Sequence, residues 1–274
     1  MPPSTPRAAL AAAAQRFTFS ATPRLDAELL LAHALCITRE RLLLSLNDWS
    51  VPAAFDALVE RRAAHEPVAY LTGTRAFWTI DLHVAPGVLV PRADSETLIE
   101  AAVAHFAGSS GPRRVLDLGT GSGALLLAAL DQWPKASGVG VDASAAALTI
   151  ARVNAERLGM ADRAQVIAGG WHGTGAAFDL VLCNPPYIEA DAALPAEVRD
   201  WEPASALFAG ADGLDDYRRL APLLPAQIAP GGVACIEIGS AQGERAAALF
   251  RAAGLGVAVR RDLAGLDRCL VVTP

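Results

Sequence analysis

The tetrapeptide Asn184-Pro185-Pro186-Tyr187 follows Phe178-Asp179-Leu180-Val181-Leu182-Cys183, an apolar run that reads as a buried strand. Two consecutive prolines cannot continue a ladder, so the strand stops there and the Asn184 side chain is presented at its carboxyl end. A carboxamide beside carbonyls that proline leaves unpaired is a cluster of acceptors suited to gripping a planar NH2 group. That arrangement suits chemistry at an amino or amide nitrogen. A strand followed by a proline-rich turn is the plain structural alternative.

Upstream, Arg113-Arg114-Val115-Leu116-Asp117-Leu118 runs into Gly119-Thr120-Gly121-Ser122-Gly123 and then Ala124-Leu125-Leu126-Leu127. Strand, glycine turn and helix start stand in the order expected of the first unit of a nucleotide-binding α/β sheet. Glycine lets the backbone turn sharply and approach a ligand, and Asp117 can accept a hydrogen bond from a cationic or amino group. The spacing G-x-G-x-G departs from the dinucleotide G-x-G-x-x-G, and an acid just before the loop repels a pyrophosphate. A ligand with a positive centre and no phosphate fits better, and S-adenosylmethionine has an ammonium, a sulfonium and no phosphate. The next strand, Ser137 to Asp142, ends in a carboxylate 25 residues after Asp117. Asp142 is placed either to accept both ribose hydroxyls or to cap the helix that follows from Ala145.

The elements that must position these residues follow from periodicity. Residues up to about 22 are rich in alanine and proline and read as a frayed tail leading into a short helix. Leu25, Leu29, Ala32 and Leu35 recur with helical spacing after Pro23, a second helix starts near Arg39, and a third spans Pro52 to about Ala64. From Val68 the pattern changes. Trp78, Ile80, Leu82 and Val84 alternate with polar residues between Gly73 and Pro86-Gly87, which predicts a β-hairpin joining two domains. A helix from Ser95 precedes strands near 114–118, 138–142, 164–168, 178–183, 232–238, 255–261 and 268–273. Strands alternating with helices predict an α/β fold with a mostly parallel, doubly wound sheet. The boundaries are 1–67 for a helical domain, 68–92 for the hairpin linker and 93–274 for the catalytic domain. The aperiodic stretch from Ile188 to about Leu214 reads either as a loop closing over the substrate or as a surface excursion.

A chain of 274 residues suits two domains, and no apolar run approaches bilayer length. The start is a poor signal peptide, so a cytoplasmic protein without a membrane partner is expected. Cys36, Cys183, Cys235 and Cys269 are widely spaced in apolar stretches without CxxC, which predicts buried free thiols and no metal site.

The motifs together carry a resemblance. Asp117 to Gly123, Val141-Asp142-Ala143-Ser144, Gly170-Trp171 and Asn184-Pro185-Pro186-Tyr187-Ile188 look like the release factor glutamine methyltransferases, the PrmC/HemK family of class I S-adenosylmethionine-dependent enzymes. Flanking blocks extend the likeness: Pro23 to Leu31, Glu66 to Gly73, Phe77-Trp78, Val90 to Glu96, Trp201 to Phe208, Asp212 to Asp215, Glu237-Ile238-Gly239 and Asp262 to Arg268. Two positions depart from the family pattern: Gly170 stands where an acid often precedes the tryptophan, and Cys183 where serine is common.

The resemblance implies a seven-stranded Rossmann-like methyltransferase sheet behind a helical substrate-recognition domain. It implies methyl transfer from S-adenosylmethionine, leaving S-adenosylhomocysteine, to the side-chain amide nitrogen of the Gln in the Gly-Gly-Gln motif of class 1 peptide chain release factors. It implies cofactor binding by Asp117 (amino-acid part), Asp142 (ribose) and the loop Gly119, Thr120, Gly121, Ser122 and Gly123. Trp171 lies against the adenine or packs at the sheet edge, and Asn184 touches both cofactor and substrate. Asn184, Pro185 and Tyr187 would carry catalysis, with Pro186 completing the substrate slot, and His172 reads as a solvated loop residue. The enzyme is expected to be a monomer.

The competing reading is methylation of adenine amino groups in DNA or RNA, which the same turn supports after base flipping. Charge opposes it: the net charge is −6, with 9 basic and 8 acidic residues through Arg92 and 14 and 21 after it. A chain tracking phosphates normally presents a basic surface, so stable nucleic-acid binding is not expected. A non-catalytic cofactor-binding module is a third reading, opposed by the intact Asn184–Tyr187 turn.

Overall fold

The computed structural model describes residues 5–274, which fall into two compact units. The first comprises the chain up to Thr74 together with Leu194–Trp201. Its helices are α1 (Pro6–Arg16), α2 (Pro23–Ala34), α3 (Arg39–Leu44), α4 (Ala54–Ala63) and α5 (Val68–Thr72), with a helical turn at Ala196–Arg199 numbered α9 in chain order. Proline sits in the first turn of both α1 and α2, where its missing N–H costs nothing. Leu10, Phe17, Leu30, Leu31, Leu42 and Phe55 pack into one fully buried cluster.

Two expectations are corrected here. The alanine-rich start is not a frayed tail from residue 5 onward: Thr5 caps α1, and Pro6, Leu10 and Ala13 are buried on a helix that packs against α2. Residues Met1 to Ser4 of that expectation lie outside the described residues. Val68–Thr72 is helical, ended by Gly73 in the left-handed region, so the hairpin pattern starts at Thr74. Arg62 is the polar centre of this unit. Its guanidinium bonds Asp26 at 2.9 Å, Glu197 at 2.8 Å and the Glu66 carbonyl at 3.1 Å, and it lies over the Phe19 ring.

In the second unit, β1 (Thr74–Phe77) and β2 (Ile80–His83) form the hairpin. Trp78 at its tip has φ +54°, a costly conformation for a non-glycine residue, and its N–H is taken by Glu96 at 2.9 Å. After α6 (Glu96–His105) comes a seven-stranded sheet of β3 (Arg114–Leu118), β4 (Ser137–Asp142), β5 (Ala164–Ala168), β6 (Phe178–Cys183), β7 (Ile228–Glu237), β8 (Gly256–Arg261) and β9 (Asp267–Thr273). The order is β5-β4-β3-β6-β7-β9-β8, with β9 antiparallel to both neighbours and the other pairs parallel. Helices α7 (Ala124–Gln132), α8 (Ala145–Arg157), α10 (Asp215–Leu220) and α11 (Gly243–Ala252) complete the unit. The central strands are buried on both faces and therefore read as unbroken apolar runs, as in Leu180-Val181-Leu182-Cys183. Cys183, Cys235 and Cys269 are buried as expected of free thiols, whereas Cys36 is exposed at a turn where its φ is +54°.

Candidate functional site

Strand β3 pairs with β4 on one side and β6 on the other, so the chain's direction of travel across the sheet reverses at β3. A crevice opens at such a switch point beyond the carboxyl ends of the strands. Asp117 and Leu118 end β3, Asp142 ends β4, and Asn184 follows β6, which brings three segments far apart in sequence to one rim. The cavity there has a volume of about 290 Å³, and all its lining residues lie within the second unit.

Gly119, Thr120, Gly121, Ser122, Asp142, Trp171, Asn184 and Pro186 line this cavity, whereas Asp117, Gly123, Pro185 and Tyr187 are not among its lining residues. The loop is held from beneath: the N–H groups of Gly119 and Thr120 both donate to the Val141 carbonyl, at 2.8 and 3.0 Å. Gly119 and Gly121 take φ +71° and +57°, and a Cβ on Gly119 would be in ordinary contact with the Trp171 ring at 3.4 Å. Glycine is required there for the backbone angle. The Trp171 indole N–H donates to Asp216 and its ring packs against the sheet core, so it serves as cavity wall and sheet packing at once. Neither arrangement leaves a neighbour near Gly170, where a Cβ would meet open space. His172 is exposed.

Asp142 is not the cap of α8. Ser144 takes that role, accepting from the Ala147 N–H, and Asp142 instead holds the Gly121 and Ser144 N–H groups at 2.8 Å each, one per oxygen. Each oxygen keeps a lone pair for a further donor, as a ribose diol requires. Asp117 accepts from the Thr120 hydroxyl at 2.6 Å and the Leu126 N–H at 3.2 Å through one oxygen, while the other is buried with no partner. Burial pushes its pKa up to about 7, opposed by these two hydrogen bonds and reinforced by Asp142. Two neighbouring acids, one with an orphaned oxygen, favour a ligand that brings a cation, so the donor set fits S-adenosylmethionine.

At the other end of the rim, Asn184 donates from Nδ2 to Ser95 Oγ at 3.2 Å, and among the described residues no donor reaches its Oδ1. Tyr187 is held by two hydrogen bonds. Its hydroxyl donates to Glu237 at 3.2 Å and its carbonyl accepts from Gln242 at 2.9 Å. Glu237, at the end of β7, is buried and has its pKa raised to about 7 by desolvation, opposed by Ser95, Arg268 and Tyr187. Sequence reasoning missed Ser95 and Glu237 as site residues, although both stand in the flanking blocks, and it missed Asn154. That fully buried amide on α8 takes the His83 N–H at 2.7 Å and donates to the carbonyls of His83 and Ser122 at 2.9 Å, fastening hairpin and glycine loop to one helix. A polar residue inside an otherwise apolar helix face was the available signal.

Two family models match the chain, the PrmC N-terminal domain over residues 8–73 and the methyltransferase small domain over 93–200. A release factor glutamine methyltransferase from Rhodospirillum rubrum is 44% identical over 256 residues, spanning 91% of this chain and 78% of that protein. One from Xylella fastidiosa is 44% identical over 275 residues, 97% of each chain. The chain belongs to the release factor glutamine methyltransferase family. The solved methyltransferase from Pyrococcus furiosus, 16% identical with a TM-score of 0.53 over 79% of this chain and 95% of that one, shares the fold. The family's sheet, helical first domain and hairpin are those described above, and no described helix is long and apolar enough to cross a membrane.

The buried acids of this family member give a pH prediction. Asp117 and Glu237 both hold their protons more tightly folded than unfolded. Folding therefore takes up protons between the ordinary carboxylate range and neutrality, and the stability gained at low pH is lost as pH rises through about 7. Calorimetry of the ligand-free protein should show the melting temperature falling from about pH 5 to about pH 8, less steeply in Asp117→Asn. A rise over that range would contradict the burial argument.

Proposed function

We propose that the chain methylates the side-chain amide nitrogen of the Gln in the Gly-Gly-Gln motif of class 1 peptide chain release factors. The reading rests chiefly on Asn184, whose Oδ1 stands without a donor at the rim of the cavity that the glycine loop also lines. When bound, S-adenosylmethionine supplies a methyl group already activated on a sulfonium, so the protein's task is positioning and desolvation. Asp117 would hold the cofactor's amino-acid part, Asp142 its ribose and Trp171 its adenine, over the backbone of Gly119 to Gly123.

An amide nitrogen is a poor nucleophile because its lone pair is delocalised into the carbonyl. Asn184 Oδ1 and the Pro185 carbonyl would accept its two N–H groups, turn the lone pair into the cavity and stabilise the positive charge that develops on nitrogen. Tyr187, fixed by Glu237 and Gln242, would flank the flat amide with Pro186 opposite. The methylated nitrogen is acidic enough to release its proton to water, so no side-chain base is required. The helical unit would select the protein substrate. A monomer acting in the cytoplasm, without stable nucleic-acid binding, completes the reading. The net charge of −6 favours a protein over a nucleic-acid substrate.

Incubation with methyl-labelled cofactor and either a release factor or DNA tests this. Label should enter the factor, with a gain of about 14 Da on the Gly-Gly-Gln glutamine by mass spectrometry. Label in DNA, or mass gained elsewhere, would overturn it. Asp142→Ala should weaken cofactor affinity about tenfold or more in titration calorimetry, through loss of hydrogen bonds to a charged acceptor. Unchanged affinity would remove Asp142 from the site.

A further inference from the structure

A carboxamide buried inside a helix must find partners for its polar atoms or destabilise the fold. Asn154, on α8 and 0% exposed, finds them on two backbone segments far apart in sequence. Its Oδ1 accepts the His83 N–H at 2.7 Å, and its Nδ2 donates to the carbonyls of His83 and Ser122, each at 2.9 Å. The orientation of the amide is therefore decided, because the flipped form would set Nδ2 against an N–H and Oδ1 against two carbonyls. His83 ends β2, and Ser122 belongs to the glycine loop.

The helix face that carries Asn154 continues the contact. Ile150 and Ala147, one turn and two turns before it, cluster with Val88, and a Cβ on Gly87 would stand 3.2 Å from that of Ala146. The chain leaving β2 thus runs along α8 from Asn154 toward the start of the helix. At the end of that run Gly87, Val88 and Leu89 line the cavity, as Ser122 does, whereas Asn154 itself does not. Two parts of the cavity lining are anchored on one side chain.

We infer that Asn154 is a positioning residue for S-adenosylmethionine: by holding the Ser122 carbonyl and both backbone groups of His83, it fixes the glycine loop against the exit of the hairpin and so sets the width of the cavity that the cofactor enters. A loop rich in glycine at positive φ has little of its own to define its place, so its hydrogen bonds must. The Val141 carbonyl and the Asp142 carboxylate tie the loop to the sheet, through Gly119, Thr120 and Gly121. Asn154 alone among these groups ties it to the hairpin. A hydroxyl with its single proton could not donate to both carbonyls. Segments already ordered cost a ligand less to bind, and without Asn154 the cofactor would have to order them itself. Asn154 makes no hydrogen bond to Asn184, so its effect should fall on cofactor binding rather than on turnover.

The inference rests on cofactor binding and not on the proposed substrate. At a temperature where the variant is fully folded, Asn154→Ala should weaken calorimetric affinity for S-adenosylhomocysteine at least about tenfold, since His83 and Ser122 are released together. With a release factor as acceptor, KM for S-adenosylmethionine should rise by a similar factor while kcat stays within about twofold. Affinity within about twofold of the wild type, with only the melting temperature lowered, would overturn the inference and leave Asn154 a core amide. So would a fall in kcat with KM for the cofactor unchanged. Should Asn154→Ala fail to fold, the wild-type protein carries the test. Saturating S-adenosylhomocysteine should slow hydrogen exchange of the His83 amide, which does not line the cavity, along with the amides of residues 119–123. Slowing confined to 119–123 would overturn the inference. A protein that binds the cofactor in this way yet leaves release factors unmethylated would overturn the proposed substrate alone.

Discussion

Asn184→Ala is expected to lower kcat by about 10²–10³, the loss seen when one preorganised group facing developing charge is removed, roughly 3–4 kcal/mol of transition-state stabilisation. The effect should fall on turnover far more than on release factor binding. The ground-state amide is neutral and can find water for its N–H groups, whereas the hydrogen bond gains most as positive charge builds on nitrogen. Removing the side chain takes one 3.2 Å hydrogen bond from Ser95, so the fold should persist. Asn184→Asp retains an acceptor toward the substrate while presenting a second one to Ser95, so partial activity is expected. Steady-state kinetics on intact release factor, with KM and kcat resolved, decides this. A variant with near wild-type kcat would exclude Asn184 from the reaction.

The strands of the catalytic domain were readable because a parallel sheet covered on both faces must be apolar throughout, and 114–118, 164–168 and 178–183 coincide with β3, β5 and β6. The glycine loop and the ends of β3, β4 and β6 carry a local signal, since turn chemistry is decided by neighbouring residues. Elements decided at long range were less legible. The alanine-rich start gave no stripe strong enough to announce α1, whose stability comes from Leu10 and Phe17 meeting the rest of the bundle. Val68–Thr72 has strand-forming residues at both ends, yet tertiary packing makes it helical.

The same division runs through the candidate site. Asn184 and Asp142 announce themselves by standing at strand ends, but what orients them does not. Ser95 is 89 residues from Asn184 in the chain, and Asp142 had a plausible capping role until Ser144 was seen to fill it. The Tyr187 hydroxyl donates to Glu237, an acceptor on another strand that the local sequence around the turn does not mark. The stretch from Ile188 to Leu214 had no period to read. Part of it contributes Pro203, Ser205 and Ala206 to the cavity wall, while Leu194–Trp201 folds with the helical unit through Arg62.

Arg62→Ala should therefore be the most destabilising single change in the helical unit. Arg62 is 3% exposed and Asp26 6%, so removing the guanidinium leaves a carboxylate buried without its cation, a change that costs about 3–5 kcal/mol. The Thr22 hydroxyl at 3.3 Å is a weak substitute. Replacing both partners, Arg62→Met with Asp26→Leu, should recover most of that loss, because two apolar side chains of similar volume avoid the desolvation the ion pair must overcome. The double variant still lacks a partner for Glu197, and this separates two roles of one residue. Stability should return while the 194–201 segment stays loosened, visible as faster amide hydrogen exchange there than in the wild type. Calorimetry and exchange mass spectrometry read the two effects independently. A single variant that loses less than about 1 kcal/mol would mean that water reaches Asp26, and exchange at 194–201 matching the wild type would mean that contacts other than the Arg62–Glu197 pair hold the segment.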